Sequence, residues 1–380
     1  LPRILLFATL FSFAGWAAHS QSHTPHSMTP KREVRAVWIA TVNGLDWPKS
    51  EDPLEQRNSL RSMVAKLKSA NFNTIFFQVR GRGDALYRSE YEPWSQVLTG
   101  GLGGDPGWDP LEFIIGEAHS RCMEVHAWFN TFIARSGVGR TPPSDPQHVI
   151  LEHPGYVHQV ESDWWFDPGI PEVREYVLKV AMDIVRHYEI DGFHFDYIRY
   201  PDRPFGDDAT YRRYGSGLSK EDWRRENINK FVRAFHDSAQ SVKPMLKIGS
   251  APIGIYTNIQ GARGLQSYSE LFQDSRRWLR EKLEDYLTPQ IYWTLAASRR
   301  EPDFAILARD WVANCSGRHV YLGLGAYKPE VMSQIQALID TSRASHAAGN
   351  SFFRYQSISA FLDTGVLYRY PANIPTMPWK

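Results

Sequence analysis

The chain reads as an α/β protein, a (β/α)8 TIM barrel with long strand-to-helix loops, and three observations predict it. Apolar, strand-like runs alternate with amphipathic helical runs through eight units in 380 residues. Connections from helix to strand are short, as at 71–73, 122–123 and 189–191, whereas those from strand to helix run over 81–109, 131–170 and 201–219. No glycine-rich fingerprint follows the first strand, which argues against the alternative of an open doubly wound sheet. Loops this lopsided place a cleft at the carboxyl ends of the strands.

The elements follow in order. Val34 to Val42 forms the first strand, and the helix Pro53 to Ala70 starts on a proline suited to a first turn. Thr74 to Arg80 precedes the helix Pro110 to Arg121, and Glu124 to Asn130 precedes Pro171 to His187. Gly192 to Tyr200 is the fourth strand, followed by the polar helix Lys220 to Ser241. Strands at Leu246 to Pro252, Tyr286 to Trp293, Val320 to Ala326 and Ser351 to Ser357 complete the eight. Their helices fall at Tyr268 to Leu283, Pro302 to Asn314 and Pro329 to His346. The barrel spans 32–362, and 363–380 is a C-terminal tail.

Leu1 to Ser20 carries Arg3, an apolar run and small residues at Ala18 and Ser20, which predicts a secretory signal peptide cut before Gln21. A flexible lead-in, 21–31, follows. The expected product is secreted or periplasmic, with no membrane anchor, because the apolar run is short for a span and no Cys follows it. Cys122 and Cys315 are expected to be free, buried thiols. Lys and Arg total 43 against 42 Asp and Glu, and no long run of either sign suggests a nucleic-acid partner.

Chemistry concentrates where strands end. In Asp191-Gly-Phe-His-Phe-Asp-Tyr-Ile-Arg-Tyr-Pro201, alternation puts His194 and Asp196 on one face and Phe193 and Phe195 on the other. The same period turns Phe76, Gln78 and Arg80 together, then His126, Trp128 and Asn130, then Thr288, Gln290 and Tyr292. Such a ring of polar side chains at the mouth suits a binding site, although mutual satisfaction inside the barrel would explain Gln78, His126 and Gln290 equally well. Trp47, Trp94, Trp108, Trp164, Trp165 and Trp293 all fall in strand-to-helix connections, where flat apolar faces suit sugar rings. About half of them would instead pack small cores within the loops.

Glycoside hydrolysis generally needs two carboxylates. Asp196 is the first candidate and Asp84, beside Arg80 and Arg82, the second; a structural ion pair with either arginine is the competing reading of Asp84. Glu92, Asp46 and Asp202 are reserves. No zinc spacing, phosphate-cradling loop or Gly-x-Ser-x-Gly elbow is present, so no metal or other cofactor is implied. A metal site from His126 and His194 with Asp196 or Asp84 is the minor alternative.

Several motifs in fixed order resemble the glycosyl-hydrolase-like family ten proteins of bacterial envelopes. They are Arg35-Ala-Val-Trp-Ile-Ala-Thr-Val-Asn-Gly-Leu-Asp-Trp-Pro48, Phe77-Gln-Val-Arg-Gly-Arg-Gly-Asp-Ala-Leu-Tyr87, Glu92-Pro-Trp-Ser-Gln-Val-Leu-Thr-Gly100, His126-Ala-Trp-Phe-Asn130 and the segment 191–201. The resemblance implies a (β/α)8 barrel and a glycosidase-like activity on a polysaccharide, with the glycan strands of peptidoglycan as the expected polymer. The fourth strand is also similar to that of family-eighteen chitinases, Asp-Gly-x-Asp-x-Asp-x-Glu. Here, however, Ile198 stands where the proton-donating Glu would be and His194 where the middle Asp would be.

The expected function is therefore an exported glycoside hydrolase with Asp196 and Asp84 as its carboxylates. Substrate would meet Gln78, Arg80, His126, Asn130, His194, Arg199, Gln290, Tyr292, Trp293, Trp47, Trp164 and Trp165. A glycan-binding barrel without activity and a polysaccharide deacetylase or esterase are the alternatives.

Overall fold

A computed structural model of the chain describes residues 30–137, 141–295 and 301–380. The expected signal peptide and most of the lead-in lie outside the described residues. In chain order the strands are β1 Val34–Ile39, β2 Thr74–Arg80, β3 Glu124–Asn130, β4 Ile133–Arg135, β5 Val157–Val160, β6 Asp163–Phe166, β7 Gly192–Asp196, β8 Lys247–Ser250, β9 Tyr286–Leu287, β10 His319–Leu324 and β11 Gly349–Phe352. Eight of them close a parallel barrel in the order β1-β11-β10-β9-β8-β7-β3-β2, with helices outside. This is the predicted (β/α)8 TIM barrel.

Local chemistry fixes the helices around it. Asp52 accepts hydrogen bonds from the backbone N–H of Leu54 and Glu55, capping the helix Pro53–Ser69, and Asp109 caps Pro110–His119 in the same way. The helix Pro171–His187 buries Val173, Val177, Val180 and Ile184, the spacing of one helical face. Phe193 and Phe195 point outward from β7 and pack on Phe235 of the helix Lys220–Val242, with centroids 4.6 and 4.7 Å apart.

The barrel interior is filled rather than hollow. Trp38, Phe76, Trp128, Tyr286 and Tyr321 occupy it, and glycines make room for the large rings. A Cβ at Gly192 would meet the His126 ring at 2.4 Å, and one at Gly249 would meet Tyr286 at 2.5 Å. A directed chain of hydrogen bonds runs through this packing. Trp38 Nε1 can only donate, and it donates to His194 Nε2 at 3.0 Å. His194 therefore carries its proton on Nδ1 and donates to the Tyr286 hydroxyl at 3.1 Å. That hydroxyl donates to His126 Nδ1 at 2.7 Å, and His126 Nε2 donates to Glu124 at 3.3 Å. Burial, reinforced by His126, holds the His194 pKa well below its ordinary value. The chain's last residues cover the amino-terminal end of the barrel. Trp379 Nε1 donates to Asp285 Oδ1 at 2.8 Å, and Lys380 Nζ lies 2.9 Å from Asp285 Oδ2.

Several expectations are corrected. The 131–170 connection is not structureless: β4, β6 and β5 form an antiparallel sheet there. The strand expected over 286–293 is regular only at β9, continuing as isolated bridges from Gln290 to Ile253 and Gly323. The helix expected over 268–283 shortens to Ser275–Arg280, and that over 329–346 divides into Pro329–Met332 and Ile335–Ala344. Both cysteines are free, but Cys122 is exposed and Cys315 only half-buried.

Period-two reading also fails at the end of β2. The β2–β3 register slips between Gln78 and Arg80, and a one-residue slip sends a side chain to the opposite face. Arg80 consequently leaves the interior and lies 4.7 Å over the Phe129 ring. There it forms a bidentate pair with Glu92 at 2.7 and 2.6 Å, with both side chains fully buried. Removing one charge from such a pair strands the other, at a cost of about 3–5 kcal/mol. Glu92→Gln should therefore lower the denaturant midpoint by an amount equivalent to several kcal/mol. A midpoint within error of the parent protein would contradict this placement.

Candidate active site

The mouth of the barrel holds a pocket of about 620 Å³, counted to its open end. The side chains of Gln78, Asn130, Asp196, Arg199 and Gln290 line it together with Arg82, Trp128, Tyr197 and Phe353. Five residues expected to serve the site thus converge from β2, β3, β7, the turn after β7 and the segment after β9. Gln78 Oε1 accepts from the backbone N–H of Thr41 and Val42 at 2.9 and 2.8 Å, fixing the loop that leaves β1. Asn130 Nδ2 donates to the Gly81 carbonyl at 3.1 Å. Among the described residues, the buried Asn130 Oδ1 has no hydrogen-bond partner, and the buried Trp128 Nε1 has none besides its approach to Asp196.

Asp196 is 8% exposed at the carboxyl end of β7. Its Oδ1 accepts from Tyr197 N at 2.7 Å and from Gln290 Nε2 at 3.4 Å. Tyr197 adopts a left-handed φ of 48°, which turns the chain sharply away after the acid. Burial raises the Asp196 pKa to about 6. The Tyr197 N–H, the charges of Arg199 and Arg82, and the nearby Trp128 indole oppose that rise without cancelling it. Neither arginine forms an ion pair with Asp196, so no contact restores an ordinary carboxylate.

Asp84 occupies a second, adjoining pocket, which shares Val42 and Arg82 with the first. It makes no ion pair with Arg80 or Arg82 among the described residues; its Oδ1 instead accepts from the backbone N–H of Arg82 at 2.8 Å. The reserve carboxylates are occupied elsewhere. Glu92 holds Arg80, Asp46 holds Arg354 at 2.7 Å, and exposed Asp202 holds Arg203 at 3.1 Å.

Other expected contacts are not at the mouth. Arg80 lies outside the barrel against Glu92, and His126 and His194 are spent in the interior hydrogen-bond chain. That arrangement also commits the nitrogens a two-histidine metal site would need. Among the described residues, no three His, Cys, Asp or Glu side chains group as metal ligands. Trp47 is buried in a loop core, donating to the Gln56 carbonyl at 3.0 Å and packing edge-on against Trp108. Trp165 backs the pocket wall, 5.6 Å from Tyr197, and Tyr292 stacks on Phe353 at 5.6 Å. Burial and then the Asp196 charge push the Tyr292 hydroxyl pKa up. Trp164 and Trp293 are half-buried and absent from the lining. Sequence reasoning missed Arg82, Tyr197 and Phe353. Trp128, in phase with Asn130, carried the one usable signal among the lining residues left out.

A family model described as glycosyl hydrolase-like 10 matches residues 33–339. The chain belongs to the glycosyl hydrolase-like 10 family. Glycosyl hydrolase YngK of Bacillus subtilis is 33% identical over 383 residues, covering 92% of this chain and 74% of that protein. Glycosyl hydrolase DigH of Escherichia coli K12 is 35% identical over 334 residues, covering 80% of this chain and 75% of that protein. The solved glycoside hydrolase domain of PgaB (BpsB) from Bordetella bronchiseptica superposes with a TM-score of 0.61 at 13% identity, covering 91% of this chain and all of that one. An α-L-fucosidase from Paenibacillus thiaminolyticus superposes with a TM-score of 0.56 at 16% identity, covering 87% of this chain and 49% of that one. These two likenesses show the fold. The protein is a glycoside hydrolase-like TIM barrel of the glycosyl hydrolase-like 10 family.

The raised pKa of Asp196 has a stability consequence. A carboxyl raised in the folded state favours folding below its ordinary value of 3.8, and that contribution is lost as pH rises through about 6. Above that pH the folded protein carries a buried charge at a cost on the order of 3 kcal/mol. Asp196→Asn should therefore raise Tm by a few degrees at about pH 8 and lose that advantage below about pH 4. A variant that melts lower than wild type at the higher pH would contradict the assignment.

Proposed function

We propose that the protein is a secreted or periplasmic glycoside hydrolase acting on an envelope polysaccharide, with the glycan strands of peptidoglycan as the substrate of choice. The observation that carries this reading is a single buried carboxyl at the barrel mouth, Asp196, held near pKa 6 by burial. A group with that value keeps its proton in mildly acidic solution, up to about pH 6, and can deliver it to a glycosidic oxygen. Gln290 and the Tyr197 N–H both reach Oδ1, which leaves the other oxygen as the donor. The names of YngK and DigH, both glycosyl hydrolases, support the reaction class.

Asp84 is the proposed second carboxylate, acting as nucleophile or as base toward water from the adjoining pocket. Asn130 Oδ1, unpartnered among the described residues, is an acceptor for sugar hydroxyl or acetamido groups. The apolar run at Leu1 to Ser20 supports export.

One observation favours a second reading, a glycan-binding barrel without turnover. Asp196 is the only carboxylate among the described residues that line its pocket, and glycosidases generally use two. Release of reducing ends from purified glycan strands separates the two readings. The hydrolase reading expects turnover by wild type, a loss of about 100-fold or more in kcat for Asp196→Asn, and a comparable loss for Asp84→Asn. It also expects kcat/KM to fall as pH rises through about 6. Retention on the polymer with no reducing ends released would support the binding reading. Wild-type turnover in Asp196→Asn would remove Asp196 from the chemistry.

A further inference from the structure

The pocket around Asp196 contains more positive charge than its own chemistry explains. Arg82 and Arg199 are both half-buried, both line the pocket, and neither forms an ion pair among the described residues. Their protein contacts are neutral. Arg82 donates to Ser136 and to the Gly81 carbonyl, and Arg199 donates to the Tyr200 carbonyl. Their guanidinium carbons lie 5.5 and 5.0 Å from the centroid of one ring, that of Tyr197.

Several other partly buried arginines are held by carboxylates, although Arg174 bonds only the Pro168 carbonyl and Asn227. Arg224 is held by Asp207 at 2.5 Å, Arg343 by Glu33 at 2.8 Å and Arg354 by Asp46 at 2.7 Å. A guanidinium withdrawn from water gains from a carboxylate fork. At the mouth, the fork is missing from both arginines at once. With Asp196 protonated, the lining carries two positive charges and no negative one; with Asp196 ionised, it still carries a net positive charge.

We propose that this site selects a glycan bearing an anionic substituent, a carboxylate next to the cleaved linkage, with Arg82 and Arg199 as the residues that determine this specificity. The proposal rests on the hydrolase reading for its cleaved linkage, while the recognition itself is a matter of binding. Arg82 borders both pockets, so a carboxylate held by it would lie across the passage between Asp196 and Asp84. Neutral polymers would leave two partly desolvated guanidinium groups unpaired and bind more weakly. A sugar carboxylate has two sources with shared chemistry: the lactyl ether of peptidoglycan glycan strands and the uronic acid of acidic polysaccharides.

The test uses the full chain and four probes: purified glycan-strand oligomers, uronic-acid oligosaccharides, and the carboxyl-reduced form of each. Affinities are measured by calorimetry on wild type and on Asp196→Asn, and reducing-end release is measured in parallel. For at least one source, the acid is expected to bind ~10-fold or more tightly than its reduced form, with the preference shrinking as salt rises. The source that shows the preference is the one the site recognises. In Arg82→Gln and Arg199→Gln the ratio of acid to reduced affinity should fall toward one, and Arg→Lys at either position should recover part of it. Equal affinity for acid and reduced forms of both sources would overturn the proposal. So would glutamine variants that weaken both forms equally, which is the result a purely structural arginine gives. A preference for the acid without any bond cleavage would remove the hydrolase reading and leave the selection of an anion standing; cleavage without a preference would do the reverse.

Discussion

Closure of eight parallel strands is the constraint on which the rest of this structure depends. A closed barrel has an interior, and every inward side chain below the top layer must be packed and satisfied by other side chains. That requirement turns His194, Tyr286, His126 and Glu124 into one directed chain, its polarity set by the Trp38 indole at one end. Only inward residues near the carboxyl ends of the strands escape it. Gln78, Asn130 and Asp196 reach the pocket for that reason, and Gln290 joins them just beyond β9.

The same geometry accounts for the two fates of charge in the molecule. Arg80 and Glu92 are both fully buried, yet each supplies the other's counter-charge through two hydrogen bonds. Asp196 is nearly as buried and receives only polar and distant positive neighbours. A paired charge contributes rigidity, while an unpaired carboxyl holds its proton to higher pH. The second condition is the one acid catalysis uses, and it arises here at the point where β7 ends and Tyr197 turns the chain aside.

Much of this was legible from residue order. Alternation of strand and helix, with short returns and long outward loops, predicted the barrel; six of its eight strands lie within the predicted segments, and β10 and β11 begin one and two residues before theirs. Asp196 was legible because period two carried a polar residue to the end of an apolar strand. Arg80 was misplaced because a register slip is invisible in a hydrophobic pattern. His126 and His194 were misplaced because alternation gives the face of a strand but not the depth along the barrel axis. Trp47 was misplaced because a loop of that length builds a core with Trp108. Arg82, Tyr197 and Phe353 lie beyond strand ends, where no periodicity constrains direction.

The hydrolysis proposed for this site requires that Asp196 keep its proton in the folded protein well above the ordinary carboxylate range. Infrared difference spectra between wild type and Asp196→Asn, recorded across pH, isolate the titration of that one carboxyl. A protonated-carboxyl band lost with a midpoint near pH 6 is the predicted result. A band already absent at pH 5, with a midpoint near the ordinary 3.8, would contradict it.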